Sequence, residues 1–287
     1  TENIIKSMNI AHKQGVKLAV FPELVISGYT CSDLFLQDIL LKGSLNGLKK
    51  IINASENLDM ITIVGLPFLF NFKLYNVAAV IFDGELLGIV PKQHIPNYSE
   101  FYEARHFSTG NKEVSYIEIP ELGDTGSFVP FGANQLFKAE NLPELVIGID
   151  ICEDLWMPIP PSCYHAMASA TVIANQSARL VSGYIYADAG EGESSTDLVF
   201  AGHNLIAENG SILAETKRFE NGIAISEIDL GKLVSERRRM STFTINAPEE
   251  NGYEVTAFEF KNIGDTILTR YFEKTPFVPN DKDVMRY

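Results

Sequence analysis

The sequence predicts a mixed α/β fold with two sheets and helices covering the outside. Three observations carry this: the apolar period switches repeatedly between helix-like and strand-like, the strand-like runs are numerous enough for two sheets, and no internal repeat or low-complexity segment appears. In chain order, residues 3–15 place Ile4, Ile5, Met8 and Ala11 on one helical face and stop at Gly15. "KLAVFPEL" then reads as a buried strand ending at Pro22. Residues 32–58 carry helical spacing through Leu34, Leu36, Ile39, Leu40, Leu45, Leu48, Ile51 and Ile52, and the strand "MITIVGLPFLF" follows. In "YNVAAVIFDGELLGIVPK", Asp83-Gly84 separates two apolar runs, which is the strongest short hairpin signal in the chain. Further strands are expected at 145–151, 171–175, 198–208 and 223–228, with helices near 161–170 and 230–240 and a second hairpin at Asn209-Gly210. Residues 1–273 form one domain in this reading. The last stretch, "KTPFVPNDKDVMRY" (274–287), loses the periodicity and reads as a linker or tail.

Composition narrows the function classes. A chain of 287 residues, 46% hydrophobic and 21% charged, can bury a large core. Its net charge of −14 argues against nucleic acid or an anionic membrane as a partner, because both reward clustered Lys and Arg. The one basic run, "ERRRM" at 236–240, reads as a solvated helix face. No run approaches the roughly 20 apolar residues of a membrane-spanning helix, and no signal peptide is seen. The sequence starts at Thr1 rather than Met, so an upstream N-terminus is expected. Three widely spaced cysteines, Cys31, Cys152 and Cys163, suit a reducing compartment, and a cytoplasmic location is expected.

Three reactive side chains sit just past the ends of apolar strands: Glu23 in "AVFPELVISGYT", Lys92 in "GIVPKQH" and Cys152 in "GIDICEDLW". Strand ends feeding loops are where open α/β proteins gather their sites. Singly, each has a bland reading: a buried small hydrophobe, a solvated turn acid and a Lys pointing to water. Together they form a reaction set. A thiol with a reference pKa of roughly 8.5 is mostly protonated at neutral pH; a neighbouring ammonium is expected to lower that value and a carboxylate to take up the proton. His94, His106 and His203 are the candidates for a Cys–His couple, but none sits in a papain-like signature. Cys163 and His165 lack partners at ligand spacing, so no metal site is expected, and Cys31 reads as buried. Neither a glycine-rich phosphate loop nor the S-G-G-x-D-S pattern of ATP pyrophosphatases is found.

The stretches "FPELVISGYTCSDLF", "PKQHIPNYSEFYE", "ICEDLWMPIPPS" and "AGEGESSTDLVFAGHNLIAENG" resemble the glutaminase domain of glutamine-dependent NAD+ synthetases, a branch of the nitrilase (carbon-nitrogen hydrolase) superfamily. The resemblance covers nearly the whole chain in the family's order, and "KTPFVP" resembles the start of the linker to the synthetase domain. It implies a nitrilase-type α-β-β-α sandwich and a catalytic triad of Glu23, Lys92 and Cys152. It further implies Glu100 as the second active-site glutamate, and Tyr29, Tyr98, Glu103 and Trp156 as pocket or near-pocket residues. Cys152 would attack the carboxamide carbon of L-glutamine, Glu23 would shuttle the proton, and Lys92 with the Glu153 N–H would face the oxyanion. The Glu153 side chain is either a contact to the substrate's α-amino group or a solvated acid; Trp156 is either pocket wall or core. The implied partners are L-glutamine, a synthetase domain on the same polypeptide and further copies of the chain. No cofactor is implied for this domain, with ATP and Mg2+ belonging to the synthetase domain, which this chain does not contain. Two pieces of the family pattern have no counterpart: the first β-strand, and a substrate-binding segment after Asn175. Both are expected to be omitted stretches, since losing them together would damage fold and activity. A free-standing amidase acting on another small amide is the alternative enzyme. A catalytically silent interaction module is the alternative from outside catalysis.

Overall fold

The computed structural model describes residues 1–99, 101–174, 182–194, 198–240, 243, 246–263 and 266–272. The first sheet holds β1 (Leu18–Val20), β2 (Ile61–Phe70), β3 (Lys73–Phe82), β4 (Glu85–Pro91), β5 (Ser115–Ile117) and β6 (Val129–Phe131), in the order β1-β2-β3-β4-β6-β5. The second holds β7 (Gln135–Ala139), β8 (Val146–Ile149), β9 (Val172–Ala174), β10 (Gly183–Tyr186), β11 (Leu205–Glu208), β12 (Ser211–Glu215) and β13 (Glu254–Phe258), in the order β12-β11-β10-β9-β8-β7-β13.

Strand period explains the layers. On β2, Ile61 and Ile63 face one way while Val64, Leu66 and Phe68 face the other; on β3, Ala78, Val80 and Phe82 alternate with Val77, Ala79 and Ile81. The first set meets Phe137, Ala139, Ile147, Ile149, Val172 and Ala174 of the second sheet in one core, so the sheets pack face to face. The other set meets Ile4 and Met8 of α1 (Glu2–Lys13) and Leu48, Ile51 and Ile52 of α2 (Asp38–Ser55). Beyond the second sheet, Leu136, Val146, Ile173 and Tyr184 pack with Ala168 and Ala170, which follow α3 (Pro161–Met167). A fourth helix, α4 (Leu230–Arg239), buries Leu233 and Arg237. The result is the expected α-β-β-α sandwich. Strands covered on both faces lose polar alternation, which is why β2, β3 and β8 read as continuous apolar runs. Among the described residues no helix is long and apolar enough to cross a membrane.

Both expected hairpins are present, with Asp83 (φ 47°) and Gly84 (φ 84°) turning β3 into β4, and Asn209 (φ 45°) and Gly210 (φ 85°) turning β11 into β12. Several boundaries differ. The helix expected over 32–58 is a 3₁₀ turn, Ser32–Leu36, followed by α2, because Gln37 is extended (φ −96°, ψ 124°). Leu34, Leu36 and Ile39 are consequently exposed. The strand expected at 198–208 starts only at Leu205, and residues 223–228 form no strand, with Ile228 packed over Gly183 instead of entering a ladder. The α3 helix stops at Met167. Strands β5, β6, β7, β10 and β13 were not anticipated from periodicity. The basic run is also corrected: Arg237 is 4% exposed and donates to Ala170 O (2.6 Å) and Ser182 Oγ (2.7 Å), with its guanidinium over the Phe243 ring. Helical spacing turns this one arginine inward while Arg238 and Arg239 remain on the outside. Residues 274–287, read as linker, and the junction after Asn175 lie outside the described residues.

Candidate active site

β1 pairs parallel with β2, while β3 is antiparallel to both β2 and β4, so β1 and β4 run the same way and end on the same side. Glu23 follows β1, Lys92 follows β4, and Cys152 follows β8 of the facing sheet. The three side chains converge from two sheets.

Glu23 leaves its strand abruptly. Phe21 N still donates to Ile63 O (2.9 Å), then Pro22 ends the ladder and Leu24 turns the chain at φ 52°. The turn presses on β2 at Gly65, where a Cβ would lie 2.3 Å from Leu24 N. Only glycine permits that approach. Lys92 is tied at both ends: its N–H donates to Asn76 O (2.9 Å) and its carbonyl accepts from Gly110 N (2.9 Å). The side chain is fully buried, and Nζ donates to Glu23 Oε1 (2.8 Å), Glu103 Oε1 (3.0 Å) and Glu103 Oε2 (2.8 Å). Cys152 sits at φ 45° where the chain passes from β8 into a 3₁₀ turn, Cys152–Trp156. A non-glycine residue in that region is strained by about 1–3 kcal/mol, a cost met chiefly where side-chain direction matters.

The electrostatics alter one expectation. Burial pushes the Cys152 thiol well above its usual range, Glu23 adds to the rise, and Lys92 only partly opposes it. The ammonium therefore does not produce a standing thiolate. For Lys92 itself, burial acts to lower the value, but the carboxylates of Glu23 and Glu103 outweigh it and the group is held charged. Glu103 is pushed up to about 7, first by burial and next by Glu23. Tyr29, raised by burial and then by Glu23 and Glu103, stays a neutral donor to Glu103 Oε1 (2.5 Å).

The structure places the other expected residues as follows. Glu100 lies outside the described residues; the carboxylate that sits on Lys92 is Glu103, expected only as a pocket residue. Glu23, Tyr29, Cys152 and Trp156 line one cavity of about 160 Å³. Trp156 is 69% exposed, so it walls the mouth and is not core. Tyr98 and Glu153 line a neighbouring hollow, where Tyr98 OH donates to both Glu153 oxygens (3.0 and 3.1 Å). Glu153 is buried, against the solvated-acid reading, and its N–H has no acceptor among the described residues. Cys31 and Cys163 are half-buried. His94, His106 and His203 pair with Asp154, Asp33 and Glu215, and the carboxylate beside Cys152 is Glu23. Among the described residues no group of three His, Cys, Asp or Glu side chains is arranged to hold a metal ion.

Two site residues escaped the sequence reading. Asn76 Nδ2 donates to Glu23 Oε1 (2.6 Å), the oxygen that Lys92 also binds, so two donors hold that oxygen in place. Its signal was available, as a polar side chain within the apolar run of β3. Glu193 accepts from Tyr29 N (2.7 Å) and Thr30 N (3.1 Å) and fixes the turn that carries Tyr29. It lies within the stretch beginning "AGEGES" already noted, but nothing local singles it out, because its partners lie 164 and 163 residues away.

Fold and site together define a class: a thiol, a carboxylate and a buried ammonium gathered at the strand ends of an α-β-β-α sandwich, a set of groups suited to thiol-based hydrolysis. The chain belongs to the carbon-nitrogen hydrolase family, whose model matches residues 1–188. It is 39% identical over 309 residues to the glutamine-dependent NAD(+) synthetase of Mycobacterium bovis, covering 97% of this chain and 44% of that protein. It thus spans less than half the length of that relative. Among solved structures it matches a glutamine-dependent NAD(+) synthetase from Cytophaga hutchinsonii with a TM-score of 0.66 and 24% identity, over 78% of this chain and 39% of that one. A carbon-nitrogen hydrolase from Helicobacter pylori G27 matches with a TM-score of 0.64 and 18% identity, over 83% of this chain and 87% of that one. At these identities the structural likeness is one of fold.

Proposed function

We propose that the chain is the glutamine-hydrolysing part of a glutamine-dependent NAD+ synthetase. The observation that carries the reading is the buried Glu23–Lys92–Glu103 cluster beside Cys152, in a chain 39% identical over 97% of its length to such a synthetase. Because the thiol is held protonated, attack and proton transfer go together: Sγ bonds to the carboxamide carbon of L-glutamine while its proton passes to Glu23. The tetrahedral oxyanion faces the N–H of Glu153, and Lys92, already donating to two carboxylates, contributes mainly through its charge. Glu23 returns the proton to the departing nitrogen and ammonia leaves a γ-glutamyl thioester. Water, deprotonated by Glu23, then cleaves the thioester to glutamate and free thiol.

Glu103 fills the second-glutamate role that the resemblance assigned to Glu100, holding Lys92 with help from Tyr29. Glu153, with Tyr98, contacts the substrate's α-amino group, and Trp156 walls the entrance. The ammonia serves a synthetase domain on the same polypeptide, which uses ATP and Mg2+ to amidate nicotinic acid adenine dinucleotide, in an assembly of several copies within the cytoplasm. The test is glutamate release from glutamine by the purified chain and by Cys152→Ala. Loss of at least about 100-fold with unchanged unfolding is expected, and a variant retaining more than about one hundredth of the turnover would sink the nucleophile assignment. Comparable turnover of other small amides would favour a free-standing amidase.

A further inference from the structure

The triad is divided between two sheets, with Glu23 and Lys92 on one and Cys152 on the other. The core between the sheets is apolar, and apolar contact has no direction, so it does not set a catalytic distance to a fraction of an ångström. Asp154 supplies a directional link at this seam. It is 2% exposed, and both carboxylate oxygens are engaged. Oδ1 accepts from His94 N (2.9 Å) and lies 2.7 Å from His94 Nδ1, which donates in its protonated tautomer. Oδ2 accepts from Ile151 N (3.1 Å) and Gln93 N (3.4 Å), and Asp154 N donates in return to Ile151 O (3.1 Å). The donors are the residue before the nucleophile and the two residues after the lysine.

We infer that Asp154 is a positioning residue for the hydrolysis: it locks the loop leaving β4 to the elbow leaving β8 and so fixes Cys152 against Lys92 and Glu23. The inference rests on the proposed reading of Cys152 as nucleophile. A carboxylate suits the task because three backbone N–H groups and a ring N–H converge on it, and bonds to an ionised acceptor are stronger than those to a neutral one. Asp154 is not among the residues lining the cavity over Cys152, so it acts through the geometry of its neighbours.

The experiment uses the full chain carrying Asp154→Asn, which keeps the shape but turns an NH₂ toward donors that need an acceptor. Four quantities are read: kcat and KM for glutamine, the rate of Cys152 alkylation by iodoacetamide resolved by peptide mass from Cys31 and Cys163, and the unfolding midpoint. A displacement of about 1 Å can cost about 100-fold, so kcat should fall by about 10–100-fold with KM within about threefold, and alkylation should slow by about tenfold. A variant whose folded form keeps kcat and alkylation within about threefold of wild type overturns the inference, whatever its unfolding midpoint, since a purely structural brace would lower stability alone. Asp154→Ser, which keeps one short acceptor, gives the same readouts if Asp154→Asn does not fold. Failure of the functional reading looks different: wild-type protein would then release no glutamate, while the alkylation comparison still decides the role of Asp154.

Discussion

Lys92 holds two carboxylates in a site where it is fully buried, so its charge belongs to the fold as well as to the chemistry. Lys92→Met should abolish turnover and also destabilise the protein by about 3–5 kcal/mol, because Glu23 and Glu103 are left without a counter-charge. Adding Glu103→Gln should recover part of that stability and none of the turnover, measured by urea unfolding and glutamate release; additive losses would show that the two side chains are not coupled. Glu103 gives a pH prediction. Its ordinary value of 4.5 rises to about 7 on folding, so between those values the folded state holds a proton that the unfolded chain has released. The stability it contributes is complete below about 4.5 and is lost as pH rises toward about 7. Wild type should therefore lose stability relative to Glu103→Gln across that interval. A difference that stays flat from pH 4 to 8 would contradict the assignment.

At the scale of the element, the site depends on how strands end. Gly65, in the middle of β2, lets the turn carrying Glu23 lie against the sheet, and a Cβ there would meet Leu24 N at 2.3 Å and the Glu23 carbonyl carbon at 2.9 Å. Both contacts are backbone, so no side chain can swing aside. Gly65→Ala should cost about 1–3 kcal/mol of stability and lower kcat by about tenfold or more with a smaller change in KM. Wild-type turnover in that variant would mean that β2 does not set the position of Glu23. Much of this scale was legible in advance: Pro22, Pro91 and Cys152 mark three strand ends, and Asp83-Gly84 marks a hairpin, because turn chemistry and apolar period are local. The short strands β5, β6 and β13 were not, since three to five residues carry too little period to distinguish from loop.

For the molecule as a whole, the two-sheet sandwich brings Glu23, Lys92 and Cys152 together and the sequence carries no phosphate-cradling loop. A protein made of these residues should release glutamate from glutamine without consuming ATP, and should make no NAD+ from the dinucleotide acid, ATP and Mg2+. Assaying glutamate and NAD+ separately checks both halves. NAD+ formation by a preparation whose mass matches this chain would refute the reading.

By itself the sequence determined which residues could do chemistry and roughly where they stand. Glu23, Lys92 and Cys152 each follow an apolar run, but β2 and β3 are apolar on both faces, so which side chains meet the helices and which meet the second sheet is settled only by the packing. The tertiary structure decided everything that depends on distant neighbours. The parallel pairing of Glu254 with Gln135 joins segments far apart in the chain, and no propensity at either end encodes it. That Glu103 takes Lys92, that Asn76 occupies one oxygen of Glu23, and that Arg237 turns inward are likewise contacts between separate segments. The state of the thiol is the sharpest case: a lysine nearby in the motif suggested a lowered value, yet burial and Glu23 raise it. Desolvation is a sum over every atom that excludes water from a group, and that sum exists only once both sheets have closed over the site.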